Sequence, residues 1–284
     1  MTVRKFKIIL DMIKFEHTIF ALPFAIMSAF IASDGLPPMD TCGWILLAMV
    51  GARSCAMAFN RIVDAKIDGA NPRTSMRAIP AGLITASSVW IFTAVSAALL
   101  VYSAYNLNSL AFALSPLALV ITLGYSYTKR FTSLSHFWLG LSLSIAPIGA
   151  WIAVTSSLDW VPMLLGLSVL LWTAGFDIIY ACQDFEFDRH NRLHSIPARF
   201  GIRRALWLSS ALHLITVSIL VGLAVFTNLG TLYLIGVGVV TLILIYEHVI
   251  VSPNDLSRVN VAFFTLNGMV SLVLSGLAVA DLLV

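Results

Sequence analysis

Long apolar runs separated by short polar turns dominate the chain. A helix of about 20 apolar residues crosses a bilayer, and these runs have that length. Read between turn signals, they predict nine helices in an all-α polytopic membrane protein. The runs are continuous rather than alternating, which argues against an outer-membrane barrel. The helices are expected at about 17–33, 41–60, 85–105, 108–126, 136–155, 160–180, 205–226, 230–250 and 259–283.

The composition strengthens this prediction. Of the 284 residues, 59% are hydrophobic and 11% are charged, and the mean hydropathy is +0.93. A soluble protein has about 25% charged residues, so an ordinary soluble enzyme, a disordered chain and a nucleic-acid-binding domain are excluded. The expected partner is therefore a lipid bilayer and not a nucleic acid. Three cysteines, Cys42, Cys55 and Cys182, lack the spacing of a disulfide framework or a metal motif.

The positive charges indicate an orientation. All 17 Lys and Arg residues lie before the first predicted span or near the ends of the second, fourth, sixth and eighth. The positive-inside rule then predicts a cytoplasmic N-terminus and an outside C-terminus, in a bacterial inner membrane. A cleaved signal peptide is the alternative for the basic, then apolar, N-terminus. Glu16 and His17 interrupt that pattern.

Two polar loops have matching residues at an offset of 120 positions. This predicts a tandem four-helix repeat, approximately 41–126 and 160–250, within a single domain of residues 1–284. The alternative is a chance match. The matching pairs are Asp64 with Asp184, Asp68 with Asp188, Asn71 with Asn191 and Ser75 with Ser195.

Each of these loops carries a pair of aspartates four residues apart. Residues at this spacing share one face of a helix, and like charges there are unfavourable. Asn60 precedes the first pair and Tyr180 the second at the same interval. Two such stripes facing each other would gather four carboxylates, at Asp64, Asp68, Asp184 and Asp188. Mg²⁺ takes one or two carboxylates and completes its shell with phosphate oxygens, so the expected ligand is a metal–diphosphate. The alternative is that the aspartates are solvated loop charges or helix caps.

Basic residues in the same loops are candidates to balance the phosphate charge. Their alternative role is to enforce topology and bind lipid headgroups. The candidates are Arg73, Arg77, Lys129, Arg130, Arg192 and Arg199.

Other candidates lie within or beside the spans. Arg53 and Asp177 each lie seven residues before an acidic motif and are expected to contact substrate or to pair structurally. His17 is a candidate at the start of the first span. Aromatic faces stabilise cations, which makes Phe59, Tyr125 and Tyr180 candidates to hold a carbocation.

These motifs resemble a known family. The segment from Asn60 to Asp68, continued through 71–82, resembles the first signature of the UbiA-type membrane aromatic prenyltransferases. Asp184 and Asp188 after Tyr180 resemble the second signature, and 125–132 resembles the basic loop after the fourth helix. Many members have Asp where this chain has Arg61 and a basic residue where it has Gln183.

The resemblance implies a Mg²⁺-dependent transfer of a polyprenyl group from its diphosphate to an aromatic ring, in a central cavity open to lipid. Asn60, Asp64 and Asp68 would bind one Mg²⁺–diphosphate, and Asp184 with Asp188 the other. Lys129 and Arg73 would clamp the diphosphate. The segment 13–23 is most similar to members that use 4-hydroxybenzoate in quinone biosynthesis.

Three alternatives stay open at this point. The acceptor could be a naphthoate of a menaquinone route, or a haem, a chlorophyll precursor or a sugar phosphate. A different class, an ion or metabolite transporter, also uses repeats and buried carboxylates. Transporter repeats are often inverted, whereas an offset of four helices keeps both copies in one orientation.

Overall fold

A computed structural model describes residues 3–13 and 19–284, with side chains from position 7 in the first of these ranges. The predicted contributions of Glu16 and His17 lie outside the described residues. The helices are α1 Val3–Ile13, α2 Leu22–Ser33, α3 Met39–Val63, α4 Ala65–Ala70, α5 Ala86–Leu107, α6 Ser109–Thr128, α7 Ser135–Thr155, α8 Trp160–Ala181, α9 Phe185–His190, α10 Ile196–Phe200, α11 Ile202–Phe226, α12 Thr231–Ile250 and α13 Asn267–Leu283.

Eight helices in the described part of the chain are long and apolar enough to cross a membrane. They correspond to the second to ninth predicted spans, with ends shifted by a few residues. The first predicted span, 17–33, contains α2, which has only 12 residues. The all-α membrane fold is therefore confirmed, whereas the count of nine spans is not.

Helix packing brings the two ends of the bundle together. α3 packs on α5, α7 packs on α8, and α8 packs on α11. α2 contacts both α7 and α13, so the last helix packs against a helix near the N-terminus. A Cβ at Gly140 in α7 would collide with the backbone carbonyl of Leu170 in α8, so glycine permits the close approach of these two helices.

A buried polar network joins α8, α12 and α13. Trp172 Nε1 donates to Asn267 Oδ1 at 2.7 Å, and Asn267 Nδ2 donates to Glu247 Oε1 at 2.9 Å. Asn267 Nδ2 also donates to the carbonyl of Ala262, in the π-helical turn Val261–Leu266 that precedes α13. Backbone carbonyls freed in a membrane need such a partner, so Asn267 stabilises the irregular turn.

The two acidic loops have the same local structure. α3 ends before Asp64 and is followed by the six-residue α4, and α8 ends in a 3₁₀ turn, Cys182–Asp184, that is followed by the six-residue α9. Asp68 and Asp188 are each the fourth residue of their short helix. The tandem repeat itself stays a prediction.

Candidate active site

The first acidic motif lies at the break between α3 and α4. The helical hydrogen bonds continue across this break, from Asp64 N to Asn60 O at 2.9 Å and from Asp68 N to Asp64 O at 2.8 Å. The three side chains therefore stack one turn apart, and Asn60 Nδ2 donates to Asp64 Oδ2 at 3.0 Å. Asp64 and Asp68 are only 2% and 3% exposed. Two carboxylates buried to this extent need partners of opposite charge.

Basic side chains from two segments supply those partners. Arg77 Nη1 lies 2.6 Å from Asp68 Oδ1. Lys129 Nζ, at the end of α6, lies 3.1 Å from Asp64 Oδ2, and Arg130 reaches the other oxygen of Asp64 at 3.1 Å. The first motif is thus already neutralised by the loop that follows it and by the loop after α6.

The second acidic motif is joined to the first by the loop after α4. Arg73 donates to both oxygens of Asp184, at 2.9 and 2.6 Å, and its third nitrogen donates to Tyr180 Oη at 3.0 Å. Asn71 Nδ2 also donates to Asp184 Oδ1, at 3.2 Å. Although burial opposes it, hydrogen bonding to Asp184 raises the pKa of Arg73 above its ordinary value. The two motifs therefore lie side by side, bridged by a permanent cation.

The four carboxylates do not form a single cluster. Among the described residues, no three His, Cys, Asp or Glu side chains come close enough to hold one metal ion. The metal–diphosphate site expected from the four carboxylates stays a prediction, and in this structure a basic side chain stands beside Asp64, Asp68 and Asp184. Such an interleaved arrangement avoids the repulsion of like charges in a poorly hydrated site.

Both motifs open onto one cavity of about 700 Å³. Near the motifs its wall is polar, and deeper in the bundle it is lined by aliphatic side chains such as Ile45, Leu100, Leu114 and Ile148. Phe20, Phe176, Tyr180 and Phe263 form an aromatic wall, with ring centroids of Tyr180 and Phe263 4.1 Å apart. The predicted site residues that line the cavity are Arg53, Asn60, Asp64, Asp68, Arg73, Arg77, Tyr125, Lys129, Asp177, Tyr180, Asp184 and Asp188.

Some predicted residues have other positions. Arg130 stands outside the cavity wall and donates to the carbonyl of Val63 at 2.8 Å as well as to Asp64. Arg192 and Arg199 line a separate hollow beside the loop after α6.

Phe59 also has another position. Its ring packs edge-on against Trp90 and Tyr127, with ring centroids 5.6 and 6.0 Å away. It lies on the face of α3 that packs away from the cavity, so the prediction that it holds a carbocation is wrong. Its position one residue before Asn60 turns its side chain by about 100° around the helix.

Two contributors were missed by the sequence analysis. His136 Nδ1 lies 2.7 Å from Asp177 Oδ2, and both residues line the cavity. Asp177 therefore pairs with a histidine of α7. Arg61, noted only as a departure from the family pattern, is 8% exposed and lies 4.0 Å from Asp68 Oδ2. No local sequence signal indicated either contact.

The sequence from residue 21 to residue 269 matches the model of the UbiA prenyltransferase family. The chain belongs to that family. It is 31% identical over 253 residues, 88% of each chain, to a protein of Vibrio parahaemolyticus named 4-hydroxybenzoate octaprenyltransferase. This membership, together with the eight apolar spans, makes it an integral membrane protein.

Solved structures of UbiA homologues share the fold. The apo structure of a homologue from Aeropyrum pernix is 33% identical, with a TM-score of 0.86 over 95% of this chain and 99% of that one. A homologue from Archaeoglobus fulgidus, bound to GPP and Mg²⁺, is 20% identical, with a TM-score of 0.74 over 97% of this chain and 99% of that one. Family membership removes the transporter alternative.

Proposed function

We propose that this protein transfers a polyprenyl group from a polyprenyl diphosphate to a ring carbon of an aromatic acid such as 4-hydroxybenzoate, in quinone biosynthesis. The observation that carries the proposal is a single cavity with a charged region and an apolar region. Its mouth holds four carboxylates with their basic partners, and its depth is apolar and aromatic. The mouth suits a metal–diphosphate and the depth suits a prenyl chain. The name of the Vibrio relative indicates the same reaction.

The residues at the mouth fit a divalent cation. Within the described part of the chain, Asp68 Oδ2 is buried without a hydrogen-bond partner and lies 4.0 Å from Arg61 Nη1. Carboxylate and amide oxygens are the ligands that Mg²⁺ prefers, and one or two carboxylates per ion suffice when phosphate completes the shell. Asn60, Asp64 and Asp68 would hold one ion, and Asp184 with Asp188 a second. Bound there, Mg²⁺ supplies Lewis-acid charge that stabilises a departing diphosphate.

The basic side chains would hold the diphosphate. Arg73, Arg77 and Lys129 line the cavity and now neutralise Asp184, Asp68 and Asp64. The planar fork of Arg binds phosphate oxygens as well as it binds a carboxylate. When metal–diphosphate enters, these cations balance the charge that grows as the allylic C–O bond breaks.

The aromatic wall would protect the allylic cation. Tyr180, Phe176 and Phe263 present ring faces and edges to the cavity directly below the second acidic motif. Aromatic faces attract cations, and an apolar wall excludes the water that would otherwise capture the cation. Tyr125 lines the same cavity from α6.

The acceptor would lie between Arg53 and Asp177. Both residues line the cavity, from α3 and α8 respectively. A guanidinium binds the carboxylate of an aromatic acid, and a carboxylate accepts a hydrogen bond from its ring hydroxyl. This assignment favours a phenolic or naphtholic acid over an acceptor without an acidic hydroxyl.

The site would face the cytoplasm. The acidic motifs follow the C-terminal ends of α3 and α8, and Lys129 ends α6. The 17 basic residues gather on that side of the predicted spans, and this bias supports a cytoplasmic N-terminus and an outside C-terminus. A bacterial inner membrane is the expected location.

The test is product identification with purified protein. The protein is incubated with Mg²⁺, geranyl diphosphate and a panel of acids that contains 4-hydroxybenzoate and a hydroxynaphthoate, and the products are identified by mass spectrometry. A C-prenylated acid is expected from the wild type and not from Asp64→Ala or Asp184→Ala. Normal product formation by both variants, or no product with any acid, would contradict the proposal.

A further inference from the structure

A histidine and an aspartate meet at the boundary between the metal–diphosphate region and the proposed acceptor region. His136 is the second residue of α7, and Asp177 lies near the end of α8. Their side chains are joined at 2.7 Å, and His136 is 3% exposed. The pair belongs to neither acidic motif, and none of the roles proposed above involves His136.

The backbone fixes which nitrogen of His136 carries the proton. The N–H of Ile196 donates to His136 Nε2 at 3.2 Å. A backbone amide can only donate, so Nε2 is the acceptor and the imidazole hydrogen is on Nδ1. Ile196 is the first residue of α10, and its N–H has no partner within the helix. The Ile196 N–H, which has no acceptor within its own helix, therefore holds His136 in the tautomer that donates to Asp177.

This arrangement leaves part of the Asp177 carboxylate available. The contact with His136 uses Oδ2. The side chain of Asp177 retains 15% of its exposure, and the residue lines the cavity. Oδ1 takes no part in that contact.

We propose that His136 is a positioning residue for the transfer step, which holds Asp177 oriented so that it accepts the proton of the acceptor's ring hydroxyl. The inference rests on the proposed function and specifies the acceptor as a phenol or naphthol. As the hydroxyl O–H bond breaks towards Asp177, the ring carbon supplies the electron pair of the new C–C bond, and the C–O bond of the prenyl diphosphate breaks.

The remaining protons balance in the next step. The prenylated ring is now a neutral dienone, and diphosphate has left with the electrons of the C–O bond. The ring C–H proton passes to diphosphate, and Asp177 returns its proton to the ring oxygen, which restores the aromatic ring. Asp177 touches the substrate in this scheme, whereas His136 acts through Asp177.

The same histidine connects the acceptor to the second acidic motif. Ser195 precedes Ile196 and caps α10 by accepting from Ala198 N at 3.3 Å. Ser195 and Asp188 both line the cavity. The loop that closes on the metal–diphosphate region is therefore the loop that orients His136.

The test compares His136→Leu, His136→Asn and Asp177→Asn in steady-state kinetics with geranyl diphosphate and 4-hydroxybenzoate. His136→Leu removes the donor, whereas the amide of His136→Asn stands where Nδ1 was and restores it. We expect kcat to fall on the order of 100-fold in His136→Leu, within the range of general acid–base effects, and to recover at least 10-fold in His136→Asn. The KM for geranyl diphosphate should change less than about 2-fold, because the diphosphate residues are intact.

Two further readouts separate positioning from a general loss of structure. His136→Leu combined with Asp177→Asn should be no slower than Asp177→Asn alone, because His136 acts only through Asp177. The wild type should bind 4-hydroxybenzoate more tightly than benzoate, and His136→Leu should lose that preference. His190→Asn is the matched control, since His190 is 77% exposed and lies outside both hollows.

A wild-type kcat in His136→Leu, additive effects in the double variant, or an unchanged preference for 4-hydroxybenzoate would overturn the inference. If His136→Leu fails to fold, His136→Asn with the acceptor-preference measurement decides the question. A wild type that forms no prenylated product with any acid would instead refute the proposed function, so the two failures are distinguishable.

Discussion

Replacement of Arg73 should weaken binding of the prenyl diphosphate more than any other single change outside the acidic motifs. Its guanidinium donates twice to Asp184 and once to Tyr180, and its Cζ lies 5.4 Å from the centre of the Tyr180 ring. The same fork is the group proposed to hold the diphosphate. Arg73→Lys keeps the charge but removes the fork, and Arg73→Ala removes both.

The magnitude follows from the hydrogen bonds that the Arg73 fork would donate to the diphosphate. A hydrogen bond to a charged group is worth about 1.5–3 kcal/mol, and the low end applies because the Arg73 side chain is 34% exposed. Loss of one such bond in Arg73→Lys is about 1.5 kcal/mol, or roughly 10-fold in affinity. Loss of two in Arg73→Ala is about 3 kcal/mol, or roughly 100-fold.

The assay is the initial rate of prenyl transfer as geranyl diphosphate is varied at saturating acceptor. We expect its KM to rise in the order wild type, Arg73→Lys, Arg73→Ala, with the KM for the acceptor nearly unchanged. Arg203→Ala is the control, because Arg203 is an exposed arginine at the start of α11 outside the cavity. A folded Arg73→Ala protein with a wild-type KM for geranyl diphosphate would refute the assigned role.

Three further predictions test the metal, the packing and the polar network. Chelation of divalent ions with EDTA should abolish transfer, and added Mg²⁺ should restore it; turnover in EDTA would contradict the metal role. Gly140→Ala should lower the Tm in detergent because a Cβ meets the Leu170 carbonyl, whereas Gly238→Ala, with nothing within 4 Å, should not. Trp172→Phe leaves Asn267 Oδ1 without its donor at a cost of about 1–3 kcal/mol, so its Tm should also fall, and an unchanged Tm would show that the bond is replaced.

The features that could be predicted from the sequence are those that depend on residues close together in the chain. Apolar run length identified eight of the spans, and the four-residue spacing of Asp64 and Asp68 identified a stripe that survives the break after α3. The first predicted span, 17–33, begins outside the described residues, and its described part contains α2, which has only 12 residues. The eight spans and the acidic stripe could be predicted because hydrophobic run length and short-range spacing depend only on neighbouring residues.

Contacts between segments that are distant in the chain could not be predicted from the sequence. Arg73 and Asp184 are 111 residues apart, and His136 and Asp177 are 41 apart. Which helix faces meet is set by packing of the whole bundle, so no spacing rule reveals these pairs. Phe59 was misplaced for the same reason, since its face of α3 packs on Trp90.

The central claim is that the two acidic motifs hold divalent ions on one prenyl diphosphate. The most direct measurement is anomalous scattering from crystals grown with Mn²⁺ and a non-hydrolysable prenyl thiodiphosphate. The account predicts Mn²⁺ peaks beside Asp64 and Asp68 and beside Asp184 and Asp188, with the diphosphate between them. Diphosphate bound elsewhere, or bound at the motifs with no ion beside either pair, would contradict it.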